Sequence, residues 1–188
     1  MNTLEAQLQG LGLELLGSCE NLSSYGPELL QVAALLEDFT PQEMDILGAA
    51  MLRVRARPGQ VLIREGERGD WMLLILSGTV DVTKRIDNRD KVPGRPGNDL
   101  APAASSRLAV LKRGTTVGEM SMLDNELRYA SCVALEAVEA AVLSRSAVAE
   151  LIHQHPGVSA KLLVKITQLM AQRLRNTSNL LVKLLQKP

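Results

Sequence analysis

The chain has 188 residues, 46% hydrophobic but only 2% aromatic, with 21 Lys+Arg balanced by 21 Asp+Glu. That length allows one domain with appendages around an aliphatic core, and zero formal net charge excludes the chain-wide basic field that binds nucleic acid non-specifically. Cys19 and Cys132 make no metal or redox spacing, no basic segment followed by an apolar run opens the chain, and no apolar stretch approaches the ~20 residues of a membrane span, so the expectation is a cytoplasmic protein with no membrane partner.

Leucines at 4, 8, 11, 15 and 16 predict a helix over residues 2–17, weakened by Gly10, Gly12 and Gly17, which packs on the domain or on a partner chain. Ser18 to Gly26 is a polar break, and Pro27 suits the first turn of a second helix reaching about Asp38. Thr40-Pro41-Gln42-Glu43 is a helix start: Thr40 caps, Pro41 fits the first helical position, and Glu43 completes a capping box.

The period then shortens to two. Arg53-Val54-Arg55-Ala56-Arg57 alternates, with the three arginines on one face of a solvated edge. Pro58-Gly59 turns, Val61-Leu62-Ile63 is a short strand, Trp71 to Leu76 a buried one, and Thr79 to Lys84 follows the Ser77-Gly78 turn. Asp87 to Ser106, rich in Pro, Gly, Asn and Ser, reads as a long mobile loop, after which Arg107 to Lys112, Ser131 to Leu135 and Ala140 to Leu143 are strand candidates. Short strands separated by glycine turns predict an antiparallel barrel or sandwich.

From Ser146 the pattern is helical: one helix to His153, then a long one from about Val158 to Leu185. Leu163, Ile166, Met170, Thr177, Leu181 and Leu184 form a stripe that suits an intermolecular coiled coil, so a homodimer is expected. Packing on the chain's own barrel is the alternative, but so long a helix overruns it. His153 and His155 diverge at a helix end and are not read as metal ligands.

The chemistry concentrates in Val117-Gly118-Glu119-Met120-Ser121-Met122-Leu123 and Arg128-Tyr129-Ala130. A cyclic phosphodiester needs one opposing charge and several N–H donors. Arg128 offers a bidentate guanidinium. Gly118 lets the backbone approach, and the residues after it start a short helix with unpaired N–H groups. Glu119 repels phosphate, so its target is a sugar hydroxyl. A ligand without that hydroxyl leaves the carboxylate short of a partner, at about 1–3 kcal/mol.

Residues 36–186 resemble the cyclic nucleotide-binding domain of the catabolite activator protein and of cyclic-nucleotide-dependent kinases. The resemblance runs through Gly59 to Glu67, Ser77-Gly78-Thr79-Val80, the Gly118–Leu123 and Arg128–Ala130 segments, and Met170 to Ser178. It implies an α+β fold: an antiparallel β-barrel of jelly-roll type flanked by N-terminal helices and a long C-terminal helix. The expected segments are a helical extension (1–38), the barrel (39–157) with its loop near 87–106, and a lid and dimerisation helix (158–188). By the same resemblance Glu119 binds the ribose hydroxyl and Arg128 the phosphate, with backbone groups of Gly118, Met120 and Ser121 lining both. Arg173 lies near the ribose and Glu119, while Thr177 and the partner's Ser178 meet an adenine amino group. The ligand so implied is cAMP, with cGMP or cyclic di-GMP as alternatives. Thr177 and Ser178 are also readable as a polar register-setting position in a helix seam.

The sequence departs from the family pattern at Val117, Leu127 and Tyr129. Tyr129 stands where a small residue is usual, and three roles are open to it: stacking on a ligand, altering purine choice, or blocking the pocket. No helix-turn-helix follows the long helix before Pro188, so no DNA-binding domain is expected in this chain. With no nucleophile–base pair and no metal-ligand cluster, the chain is not expected to be an enzyme. The expectation is a cyclic nucleotide sensor that signals by conformational change to an unidentified downstream protein, engaged through the N-terminal leucine helix. A ligand-free dimerisation module with a degenerate pocket is the alternative.

Overall fold

The run Trp71-Met72-Leu73-Leu74-Ile75-Leu76 is apolar at every position because both of its faces are buried. In the computed structural model, which describes residues 3–86 and 105–186, it forms β4 (Trp71–Ser77). Trp71, Leu73 and Ile75 point into a core between two sheets, while Met72, Leu74 and Leu76 point into a second core beneath the helices.

The two sheets are antiparallel throughout. One has the order β1-β2-β9-β4-β7, from Glu14–Ser18, Leu52–Ala56, Val138–Ser144, Trp71–Ser77 and Thr116–Val117. The other has the order β3-β8-β5-β6, from Val61–Ile63, Ser131–Ala134, Thr79–Arg85 and Ser105–Lys112. The ladders stay within each sheet, so the pairing is that of a sandwich and not of a closed barrel. The expected loop at 87–106 falls largely outside the described residues; Ser105 and Ser106 belong to β6 and pair with Arg85 and Lys84.

Three local expectations change. The predicted helix over 2–17 is a short α1 (Thr3–Gly10) followed by strand β1. Each glycine costs a helix about 1 kcal/mol relative to alanine, and Gly12 takes a φ of 75° that ends the helix and redirects the chain into β1. Leu4, Leu8 and Leu13 are buried in the inter-sheet core, so the leucine stripe of α1 is not free for a downstream protein. The second predicted helix shrinks to α2 (Pro27–Leu30), after which successive tight turns bury Leu35 and Leu36 side by side. Tertiary packing overrides the helical period there. Finally, β2 is no edge, since it lies between β1 and β9. Its arginine face is nonetheless solvated and paired: Arg55 meets Glu139 at 2.7 Å, and Arg53 donates to the Tyr25 hydroxyl at 3.0 Å.

The capping box forms as read. The Thr40 hydroxyl accepts from Glu43 N, Glu43 reaches back to Thr40 N, and α3 runs Pro41–Ala49. Ser144 caps α5 (Arg145–Gln154), and Pro156 opens α6 (Pro156–Leu185). The first half of α6 docks on its own domain through buried Val158, Leu162 and Ile166. Lys161 reaches the Glu43 carboxylate and Asp38 O, and Lys165 pairs with Glu37 and Asp38. Beyond Leu174 its leucines are exposed, Leu185 at 77%.

Candidate functional site

The site begins with two left-handed residues. Gly118 (φ 87°) and Asn125 (φ 65°) bracket α4 (Glu119–Asp124), so a single turn and a half of helix is pinned between sharp bends. Gly118 must be glycine for space as well: a Cβ there would lie 2.8 Å from Arg128 Nη1 and 3.0 Å from Ile63 Cδ1. This close approach brings Arg128, ten residues on, against the start of α4.

Arg128 is only 4% exposed. Its Nη1 donates to Gly118 O at 2.8 Å and its Nη2 to Trp71 O at 2.6 Å, and the guanidinium stacks 4.4 Å from the Trp71 ring centroid. Burial lowers its pKa to about 10, which leaves it a cation at neutral pH. Two of its five N–H groups are committed to backbone carbonyls, so the others can still meet an anion.

Glu119 is equally buried, at 4%. Arg173 of α6 donates to its Oε1, and also to Thr116 O at 2.5 Å. The other carboxylate oxygen, Oε2, is buried and has no hydrogen-bond partner. Such an orphan is rare in a folded protein. The arrangement therefore holds a buried cation and a buried carboxylate with one free acceptor, both positioned by the Gly118 turn. That pairing suits a ligand bearing both a negative charge and a hydroxyl.

The structure brings Gly118, Glu119, Arg128 and Arg173 together. Ser121 is buried, and Met120 is exposed on α4. Ala130 packs against the inter-sheet core. Tyr129 is 60% exposed, with its ring under Lys84 Nζ (4.1 Å to the centroid), whose ammonium also bonds Tyr129 O at 2.7 Å and Glu65 Oε1 at 3.0 Å. The side chain thus turns outward and does not plug the pocket. Thr177 and Ser178 are exposed on α6, and the Thr177 hydroxyl is spent on Arg173 O of its own helix.

Three contributors escaped the sequence reading. Gly69 makes room for Arg128, since a Cβ there would lie 2.6 Å from its Nε. Trp71 stacks on it. Arg145 donates Nε to Met122 O at 2.6 Å and Nη2 to Ser121 O at 3.0 Å, satisfying the last carbonyls of α4. Trp71 is the chain's one tryptophan, at the mouth of a buried strand, and that singularity was the available signal. Arg145 left none, because nothing local distinguishes it from a surface arginine. His153 and His155 are exposed, and no group of three or more His, Cys, Asp or Glu is placed for a metal among the described residues.

A family model described as the cyclic nucleotide-binding domain matches residues 53–155. The chain belongs to the cyclic nucleotide-binding domain family. A solved cyclic nucleotide-binding domain from Methylobacillus flagellatus superimposes with a TM-score of 0.74 at 31% identity, covering 91% of this chain and 88% of that one. A CRP-like cAMP-activated global transcriptional regulator of Mycobacterium tuberculosis is 27% identical over 159 residues, 84% of this chain and 62% of the regulator. Lysophospholipase nte1 of Aspergillus fumigatus is 28% identical over 152 residues, which is 81% of this chain but 9% of that enzyme. The chain thus spans just under two thirds of the regulator and about a tenth of the lysophospholipase. A cyclic nucleotide-binding domain is typically a regulatory and not a catalytic module, and no helix among the described residues is long and apolar enough to cross a membrane.

Proposed function

We propose that this chain is a cytoplasmic cAMP receptor without catalytic activity, dimeric through α6, that passes nucleotide occupancy to a downstream protein by conformational change. The observation that carries the reading is the unpartnered Oε2 of buried Glu119, beside Arg128. A ribose 2′-hydroxyl is the donor that this oxygen lacks, and the cyclic phosphate is the anion for Arg128. Backbone groups of Gly118, Met120 and Ser121 line the sugar and phosphate, and Tyr129 and Ala130 continue the wall on a jelly-roll frame. Arg173 holds Glu119 in place. Thr177, with Ser178 of a second copy, reads the adenine amino group, which gives exposed polar residues on α6 a partner once two chains associate. Preference for cAMP over cGMP and cyclic di-GMP rests on that pair and on the cAMP-activated relative.

Titration calorimetry with cAMP, cGMP and cyclic di-GMP tests the reading. Binding of cAMP in the micromolar range or tighter is expected, and absence of heat with all three would sink it. Arg128→Lys is the better companion variant than Arg128→Ala, because Arg128 also satisfies Gly118 O and Trp71 O. Lysine keeps the charge, loses the bidentate geometry and weakens binding.

A further inference from the structure

The N-terminal helix α1 lies before the matched family region, which begins at residue 53, yet its contacts lead to Arg128. Leu4 and Leu8 seat it in the inter-sheet core, at 6% and 0% exposure, beside the same apolar cluster that holds Trp71. Gln60 fastens the turn that follows, donating Nε2 to Leu11 O at 3.1 Å. From this docked helix Gln7 presents its Oε1 to Trp71 Nε1 at 3.0 Å. Gln7, Leu11, Trp71 and Arg128 then line one cavity of about 300 Å³.

The contact matters because Trp71 grips Arg128 twice. Its carbonyl accepts from Nη2 at 2.6 Å, and its ring lies 4.4 Å from the guanidinium. Gly118 O accepts from Nη1 at 2.8 Å. One face and two edges of the guanidinium are thereby fixed, and its other N–H groups remain for an anion. Seat and anion are compatible, so the phosphate is met by Arg128 where it stands. The Trp71 carbonyl is set by β4, but the ring is set by its packing and by its one polar atom, whose acceptor is Gln7. An arginine that is free to rotate loses rotamer entropy when it binds, and one already held loses less. Whatever holds the indole therefore strengthens anion binding, and coupling of this kind is reciprocal.

We infer that α1 is a working part of the nucleotide site, with Gln7 as a positioning residue: through the Trp71 indole it keeps Arg128 in the orientation that receives the cyclic phosphate, and nucleotide binding in turn tightens α1. This rests on the receptor reading above and adds to the site an element from outside the matched family region.

The test is a double-mutant cycle on the full chain, read by calorimetric titration with cAMP below the lowest melting temperature of the set. Gln7→Leu keeps a side chain of similar size at an exposed position of α1 and removes the acceptor. It is expected to weaken cAMP binding about two- to fivefold, the fold-change of a modest cation–π contribution. Trp71→Phe keeps an aromatic ring and the strand carbonyl but has no N–H to leave without an acceptor. In that background Gln7→Leu is expected to have no further effect, whereas a purely structural Gln7 costs the same factor in both backgrounds. Hydrogen exchange of residues 3–13 is expected to slow at saturating cAMP in the wild type and to lose that response in Trp71→Phe. Unchanged or tighter binding by Gln7→Leu, equal losses in the two backgrounds, or α1 exchange in the wild type that ignores cAMP overturns the inference while leaving the receptor standing. Absence of cAMP binding by the wild type instead removes the receptor reading, and the role of Gln7 with it.

Discussion

The free oxygen of Glu119 makes a sharp prediction about the ligand. Glu119 is 4% exposed, Arg173 satisfies Oε1, and Oε2 has no partner. If the ribose 2′-hydroxyl supplies that partner, its removal deletes one hydrogen bond to a charged acceptor and returns the oxygen to its orphaned state. Hydrogen bonds to charged groups are worth about 1.5–3 kcal/mol. At about 1.4 kcal/mol per factor of ten, 2′-deoxy-cAMP should bind about 10- to 150-fold more weakly than cAMP. The perturbation lies in the ligand, so the protein's own stability is constant across the comparison. Calorimetric titration of both nucleotides gives the ratio, and Glu119→Ala completes a double-mutant cycle in which the ratio collapses toward one, whatever the absolute loss. Equal affinities in the wild type refute the assignment. So does a preference for the hydroxyl that survives in Glu119→Ala.

Arg145→Met leaves Met122 O without its donor and Ser121 O with the Asn125 N–H alone, and stability should fall by about 1–3 kcal/mol; an unchanged urea midpoint contradicts this. Glu65 accepts from the Arg85 backbone N–H and from Lys84, which together hold its carboxyl below the ordinary carboxylate range. Its stabilising contribution is therefore complete above the unfolded value, near 4.5, and is lost as pH falls through the lower folded value. Glu65→Gln should accordingly be less stable than wild type at pH 7, with the gap closing in acid; a gap that is constant with pH rules this out. Leu181 and Leu184 are more than half exposed on α6, so Leu181→Asp with Leu184→Asp should convert a dimer into a monomer in sedimentation velocity. A wild-type chain that sediments as a monomer dismisses the α6 interface outright.

Elements whose determinants are local were legible. The Thr40–Glu43 capping box, the glycine turns at 59, 66 and 78, and the alternation in β2 and β5 each depend on a few adjacent residues. What failed depended on tertiary burial. Leu11, Leu15 and Leu16 continue a helical leucine spacing, yet Gly12 turns the chain and the open edge of β2 recruits Glu14–Ser18 as a strand. The stretch after Pro27 satisfies a helical pattern, but successive turns over residues 31–38 replace the helix and bury Ala33, Leu35 and Leu36 in the core beneath the helices. At the site, the sequence pointed to Glu119 and Arg128 through their residue types after Gly118 and through the family resemblance of that segment. It was silent on the Trp71 ring that seats Arg128, because stacking follows strand register between distant segments.

α6 shows why site and assembly are to be considered together. Its first half is fixed to the domain by buried Leu162 and Ile166 and by ion pairs from Lys161 and Lys165. Its middle carries Arg173, the one described link between this helix and Glu119. Its last turns present Leu180, Leu181, Leu184 and Leu185 to solvent. A rigid helix cannot shift at Arg173 without swinging those leucines, since the docked half acts as the pivot. Under the proposed function, a ligand hydroxyl that takes a share of Glu119 changes what Arg173 is held by, and the helix axis offers a rigid route from that change to the exposed end. On the proposed reading the orphaned oxygen of Glu119 and the exposed leucines beyond residue 174 are two ends of one lever, and each should respond to perturbation of the other.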